Sequence, residues 1–499
     1  MKLLEVYLLP LDERRFKAIA TGSSAGDGEA DCSLPFWQEE QDRRVTLIKV
    51  LEGIGNFKLE HFPRPGEQDW MVEAGILNSD RQSFYPNYLE RVGQALYEAL
   101  FPINSSLKSV FQVALRLAEQ EDVELHIRLK FSEDSAKRSR LADYPWELLH
   151  DGQRFLQHRQ VIISRYIAYE SLPPALLPQD QLRVLLISPR AEDAAQGLTK
   201  LPDTEQQAIR MGLSRAESEG LIVMEQLPRA TFKALSAKLS QCSEDEMPQV
   251  LHFDGHGLFG KRCVNPKCAQ VHGSIKVEHC QNCSQQLPEP MGFLLFENDQ
   301  GGPDYISAAS LAAFLPKRIA LVVLSACQSG MAVAGESVFN GTAQQLIDAR
   351  VPAVVAMQYE VRVDAASNFA EQFYRILGQK KTLLTAINEG RKWMGVDGNQ
   401  WYRPVLYLRW LDNQGGQLFA EAAIAKMKQS KLSRFERLEI ERLQTELEDL
   451  EQDYEAVQAQ LRVELDGSTQ NRLKRQIEQI GQRMNTKEQQ LSQLNSQDE

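Results

Sequence analysis

The chain has 499 residues, 43% of them hydrophobic, which is enough for at least one sizeable core and excludes a wholly disordered protein. Asp and Glu number 68 against 56 Lys and Arg, and the resulting charge of −12 disfavours unselective binding to nucleic acid or an anionic membrane. No run of about 18 apolar residues appears, and the apolar start "MKLLEVYLLP" is interrupted by Glu5 and closed by Asp12, Glu13 and Arg14, unlike a signal peptide.

Residues 1–180 mix strand-like runs such as "VTLIKVLEG" and "VELHIRLKF" with an amphipathic helical stretch, "YLERVGQALYEALF", and read as an N-terminal α/β lobe. It ends at "ESLPPALLPQDQ", whose three prolines mark a linker. Residues 181–425 are more regular. "LRVLLISP" and "LIVMEQL" read as strands, "LPDTEQQAIRMGLSRAESEG" and "ATFKALSAKLSQ" as helices, and "QVLHFDGHG", "ALVVLSACQSG" and "PAVVAMQ" as three further strands. Strands rich in Val, Leu and Ile without alternation are buried on both faces, so the expected class is α/β with a mostly parallel sheet flanked by helices. Chemistry in such sheets gathers at the carboxyl ends of the strands, where "DGHG" and "SACQSG" fall.

Between "DGHG" and the following strand, "GFLLFEN", residues 261–289 form an insertion. Cys263 and Cys268 are separated by four residues, Cys280 and Cys283 by two, with eleven between the pairs. Two cysteine knuckles supply four thiolates in tetrahedral geometry, so the expected metal is a structural Zn2+ in a small zinc ribbon, with no open position for catalysis. His272 and His279 are alternative ligands. Seven cysteines is an odd number, and this spacing suits a metal more than a disulfide framework, consistent with a reducing cytoplasm. Lys261, Arg262, Lys267 and Lys276 make the flanks locally basic, too few charges to assign a nucleic-acid role.

From residue 430 to 495 the pattern changes. Ile440, Leu443, Leu447, Leu450, Tyr454, Val457, Leu461 and Leu465 follow a 3-4 spacing, "DGST" at Asp466–Thr469 breaks it, and it resumes at Leu473, Ile477, Ile480 and Met484. Ten acidic and two basic residues lie from Glu439 to Asp466, against five basic and two acidic from Gly467 to Leu494. Opposite charge and a Gly-containing turn favour an antiparallel coiled-coil hairpin that pairs within the chain; a solvated linker helix is the alternative.

A cysteine within a parallel sheet is ordinarily an inert small hydrophobe. Cys327, however, follows a finished apolar strand and precedes the polar turn Gln328-Ser329-Gly330. His256 follows another strand and lies between Gly255 and Gly257, glycines that let a backbone approach a ligand and aim its N–H groups. A thiol of pKa about 8.5 needs a nearby imidazole to take its proton or stabilise its thiolate. His256 and Cys327 therefore form a candidate dyad. His252, on the same face of its strand, reads as a core histidine, and Asp254 and Ser325 flank the pair.

"LHFDGHG" and "VVLSACQSG", in this order, resemble the His-Gly and Ala-Cys motifs of the caspase-like cysteine peptidases, and more closely those of the CHAT branch, which includes separase-like enzymes. "DYPWELLHDGQRFL" at Asp143–Leu156 resembles the Pro-Trp-Glu segment that precedes CHAT cores, and the stretch from Glu336 to Leu377 resembles the region after the cysteine; the resemblance covers roughly Leu89 to Trp410. It implies a caspase-like fold, with Cys327 as nucleophile, His256 as general base, and the amides of Gly257 and Cys327 as oxyanion donors. Asp254, Glu360 and Asp364 become candidate acids of a substrate pocket, with Arg362 a candidate base. The implied function is a regulated cysteine endopeptidase of protein substrates in bacterial signalling or defence. Its hairpin, similar to small effector-associated adaptors, would recruit an adaptor or activator. An inactive scaffold assembling a complex through ribbon and hairpin is the alternative, and a nucleic-acid sensor is disfavoured by the acidic balance.

Overall fold

One sheet runs through the whole first part of the chain. It opens with the antiparallel strands β1 (Lys2–Pro10), β2 (Arg15–Ser23) and β3 (Gly26–Ser33), followed by a separate short pair, β4 (Trp37–Gln38) and β5 (Gln41–Asp42). The helices α1 (Arg44–Glu52), α2 (Pro65–Glu73), α3 (Tyr88–Leu100) and α4 (Ser106–Gln120) lead to β6 (Leu125–Ser132) and β7 (Val161–Ala168), and β1, β6 and β7 lie parallel. "VTLIKVLEG", expected as a strand, is α1: Leu47, Ile48 and Leu51 recur at helical spacing and all are buried, and a nine-residue apolar run carries too little periodicity to separate the two states.

The regular second part gives β8 (Leu182–Ile187), α5 (Thr204–Ser218), β9 (Ile222–Gln226), α6 (Phe232–Gln241) and β10 (Val250–Arg262). After them come β11 (Val271–His272), β12 (Met291–Glu297), β13 (Pro303–Ser307), α7 (Ala308–Phe314), β14 (Leu321–Cys327), α8 (Val338–Asp348), β15 (Ala353–Met357), α9 (Val363–Gly378), α10 (Leu383–Trp393) and β16 (Pro404–Leu408). Across the sheet the order is β13, β12, β10, β14, β15, β16, β7, β6, β1, β2, β3, with β8 also beside β10 and β9 beyond β8. The middle of this path is parallel except where β16 runs against β15. The sheet spans both the 1–180 and 181–425 stretches, because β16 meets β7 at Tyr407 and Arg165. Every residue of β15 and β16 is buried, as non-alternating apolar strands require.

This computed structural model describes residues 1–12, 14–38, 41–52, 65–133, 141–274, 277–327, 338–359, 361–394, 400–411, 413–420, 443, 446–447, 450, 452–454, 456–458, 461 and 467–496. The side chains of Ala326 and Cys327 also lie outside the described set, as do Glu360 and Lys276. The chain divides into two units, Met1–Leu418 and Phe419–Glu499. In the second unit one helix runs Gly467–Ser496, so Gly467 to Thr469 of the expected break begin a helix. The described positions from 443 to 461 are helical as well. Lys487 Nζ lies 2.5 Å from Glu446 Oε2, joining the basic segment to the acidic one, and Leu443, Leu450 and Leu473 are buried.

Candidate active site and cysteine cluster

β10 owes its position to its neighbours on both edges. Along one edge it pairs in parallel with β14, from Val250 opposite Leu321 to His256 opposite Cys327. Along the other it pairs first with β8, as far as Phe253 opposite Ile187, and then with antiparallel β12, from His256 opposite Leu295 to Gly260 opposite Met291. Pro189, lacking an N–H, cannot prolong the β8 ladder, and the chain turns away there. Gly255 sits where this happens: a Cβ on it would meet the Phe253 ring at 2.6 Å and Pro189 at 2.9 Å. The sequence suggested that the strand finishes before His256. Instead it continues to Arg262, because β12 takes over the edge that β8 leaves. Gly257 is thus a buried strand residue opposite Leu294.

The register brings together the two residues that the sequence singled out. Cys327 is the last residue of β14 and stands directly across from His256, a backbone separation of about 4.8 Å for adjacent strands. His256 is 7% exposed, and its Nε2 lies 2.5 Å from the backbone oxygen of Thr199. A carbonyl only accepts, so Nε2 carries a proton and donates it; in the neutral ring the basic nitrogen is then Nδ1. No side-chain pattern in the sequence could single out Thr199, since its contribution is a main-chain oxygen.

His252, Asp254 and His256 share one face of β10, and the first two are committed to other partners. His252 Nδ1 meets Tyr374 Oη of α9 at 2.9 Å and its Nε2 meets Glu205 Oε1 of α5 at 3.1 Å, all three side chains being buried. Asp254 Oδ2 accepts from Arg190 Nη2 at 2.9 Å. Burial, joined by the nearby Glu205 carboxylate, raises Asp254 to about 6, against the pull of Arg190. Arg190 also donates its backbone N–H to Glu297 at 2.7 Å, so it pins the start of the 188–203 loop to the end of β12. Asp254 stands opposite Ser325 of β14, whose buried Oγ finds no partner among the described residues. Asp364 is on the surface, in an ion pair with Arg362, so this candidate acid and the candidate base neutralise one another. Both described acids of the candidate pocket therefore face an arginine.

The Pro-Trp-Glu segment is a joint of the sheet. Trp146 is fully buried, donates from Nε1 to the Leu141 oxygen at 2.8 Å, and packs edge-on against Phe16. Glu147 pairs with Arg165 of β7 at 2.6 Å, and Arg165 in turn donates to the side chain of Gln358, just beyond β15, at 2.8 Å. Burial opposes the Arg165 charge, but the Glu147 carboxylate together with Tyr407 and Tyr359 outweighs it and raises the guanidinium further.

The sulfur atoms of Cys263, Cys268, Cys280 and Cys283 all lie within 4.8 Å of one another. Cys263 Sγ is 3.4 Å from Cys283 Sγ, and Cys268 Sγ is 3.6 Å from Cys280 Sγ. These are too long for a disulfide and near the ~3.8 Å edge of a tetrahedron built on metal–sulfur bonds of about 2.3 Å. Backbone and side-chain N–H groups favour thiolate at one corner: the Gln270 amide and the Asn282 side chain lower Cys268 to about 7. His272 Nε2 lies 3.4 Å from Cys280 Sγ, where it reaches the cluster as a neighbour of one sulfur, whereas His279 is exposed. The donor set thus fits a four-thiolate metal. Cys263 directly follows Arg262, the last residue of β10, so the strand that carries His256 runs straight into the cluster.

No curated protein matches the chain. In two crystal structures of the Saccharomyces cerevisiae separase–securin complex a chain aligns with 82% of this one, at 11% identity and a TM-score of 0.40 in one and 12% and 0.37 in the other. This chain spans 30% of the length of each of those chains. The model of effector-associated domain 9 matches residues 433–494. The CHAT domain model matches residues 90–407, a span that holds the Trp146-Glu147 joint, His256, the cysteine cluster and Cys327. Because that match extends over well more than half of the sequence, the chain belongs to the CHAT domain family.

Proposed function

We propose that the chain is a cysteine endopeptidase of protein substrates, with Cys327 as nucleophile and His256 as general base. The observation that carries the reading is the pairing of the two residues across adjacent parallel strands, at the carboxyl end of β14, with the Thr199 oxygen holding the His256 tautomer in which Nδ1 is basic. Nδ1 takes the thiol proton, the thiolate adds to the scissile carbonyl, and the imidazolium returns the proton to the leaving amine. The amides of Gly257 and Cys327 are the proposed oxyanion donors. Water then hydrolyses the thioester with His256 again as base.

Cys263, Cys268, Cys280 and Cys283 would hold a structural zinc, which supplies the cross-link that a short insertion with a small apolar cluster lacks. The segment 433–494, matched by the effector-associated domain model, is the proposed docking element for an adaptor or activator in bacterial signalling or defence, and the compartment is the cytoplasm. No helix among the described residues is long and apolar enough to cross a membrane.

A thiol-directed peptide probe incubated with the full chain tests the catalytic reading. Labelling is expected on Cys327, and is expected to vanish in Cys327→Ala and to fall at least ~100-fold in His256→Ala. Labelling of wild type that is unchanged in His256→Ala would refute the dyad, and retention of every binding partner by an unreactive wild type would favour a scaffold.

A further inference from the structure

The loop between β8 and α5 touches the candidate base at one end and the cysteine insertion at the other. Asp193 and Leu198 bridge its neck in both directions at 2.9 Å, and Thr199, immediately after, supplies the oxygen that accepts from His256 Nε2. At the tip, Gln196 reaches across to β11. Its Oε1 accepts from the Gly273 amide at 3.2 Å and its Nε2 donates to the Val271 oxygen at 3.4 Å, so a side-chain amide stands in for one more strand on the outer edge of the insertion. Beneath it, Ala191 and Leu198 of the loop share a buried cluster with Leu258 of β10 and Val271 of β11. β11 itself pairs with Lys261 and Arg262, next to Cys263. Two routes therefore leave the cysteine cluster for His256: the β10 backbone, which places the residue, and Gln196, which places the acceptor that fixes its tautomer.

We propose that Gln196 is a positioning residue through which the metal-bound insertion sets the protonation pattern of His256. With the insertion ordered, Gln196 anchors the loop and Thr199 holds the proton on Nε2. When the cross-link is lost, β11 no longer presents Gly273 and Val271 in register, Gln196 loses both partners, and the imidazole samples both tautomers. The inference rests on the peptidase reading for its purpose, but not for its test, because the readout is the state of a ring and not turnover.

The experiment uses the full chain with 15N-labelled histidine, the His256 signals being identified by their loss in His256→Gln. Zinc-loaded wild type is expected to show one tautomer with the proton on Nε2, and stripping zinc with a chelator to give averaged Nδ1 and Nε2 signals that zinc restores. Gln196→Ala, with zinc content verified, is expected to show the averaged signals already, and to lose the response to chelation. Gly273→Ala attacks the joint from the other side, since its Cβ would meet Gln196 Oε1 at 2.4 Å, and is expected to behave likewise even if Gln196→Ala folds poorly. Tyr305→Phe, which frees Asp193 of the loop from β13 and leaves the hydrogen bonds between Gln196 and the insertion in place, is expected to keep the zinc response. A zinc-loaded Gln196→Ala or Gly273→Ala with wild-type signals and a wild-type response would overturn the proposal, as would a wild-type ring indifferent to zinc. Loss of peptide-probe labelling with the zinc response intact would refute the peptidase reading alone.

Discussion

Glu147 and Arg165 form an ion pair 2.6 Å long in which neither side chain is exposed, between the Pro-Trp-Glu segment and the strand β7 that closes against β16. Arg391, buried beside them and held down to about 10 by that burial in spite of Glu147, adds a second positive charge. Removing one side of a buried pair leaves the other uncompensated, which costs about 3–5 kcal/mol. Glu147→Ala is expected to lower the urea midpoint accordingly, with the slope of the transition unchanged, and Glu147→Gln to lower it less, since an amide oxygen still accepts from Arg165. A loss of unfolding free energy below ~1 kcal/mol for Glu147→Ala would show that the joint does not hold the sheet.

Asp254 and His126 respond to pH in opposite senses. Asp254 is raised to about 6 by its burial from an ordinary value of 3.8, so the folded state holds its proton more tightly than the unfolded chain. Its favourable contribution is full below about pH 4 and is lost as pH rises through 6, a swing on the order of 3 kcal/mol. His126, fully buried beside Ser164, is held down to about 3 by burial, and its contribution is present above about 6.5 and lost on acidification at up to ~1.4 kcal/mol per pH unit. Unfolding midpoints of Asp254→Asn are expected to gain less than wild type on going from pH 7 to pH 5, and those of His126→Gln to lose less. Parallel pH curves for wild type and either variant would contradict the assignment.

Zinc content is expected to depend on four cysteines and not on the others. Cys263→Ala, Cys268→Ala, Cys280→Ala or Cys283→Ala should each lose the metal and lower the melting temperature, whereas Cys32→Ala and Cys242→Ala should retain it. Chelation of wild type should make the four thiols reactive toward a thiol reagent. Retention of zinc after any of the four substitutions would mean that His272 completes the site in its place.

Lys487 and Glu446 join the two oppositely charged segments of the second unit. Glu446→Lys alone is expected to lower the helical signal's midpoint, and Glu446→Lys with Lys487→Glu to restore it, with a coupling of about 0.2–1 kcal/mol that salt reduces. Additive effects of the two substitutions would separate the segments.

Legible in the sequence alone were the α/β class, the strands from Leu182 to Met357 apart from β11 and β13, the four-cysteine spacing and the choice of His256 and Cys327 as candidates. Each of these rests on local information: apolar runs without alternation declare strands buried on both faces, and the spacing of the cysteines along the chain matches that of a metal-ligand set. What only the tertiary structure decided are relations between distant segments. Nothing near His256 announces that β12 would extend β10 past it, because the partner that satisfies those backbone groups lies 35 or more residues on. "VTLIKVLEG" became a helix because its tertiary surroundings, and not its own short pattern, chose which side chains to bury. Thr199, Arg190 and Gln196 stayed silent for the same reason. A main-chain oxygen, a paired arginine and a side-chain amide acquire their roles only when folding brings an imidazole, a carboxylate and an open strand edge to them.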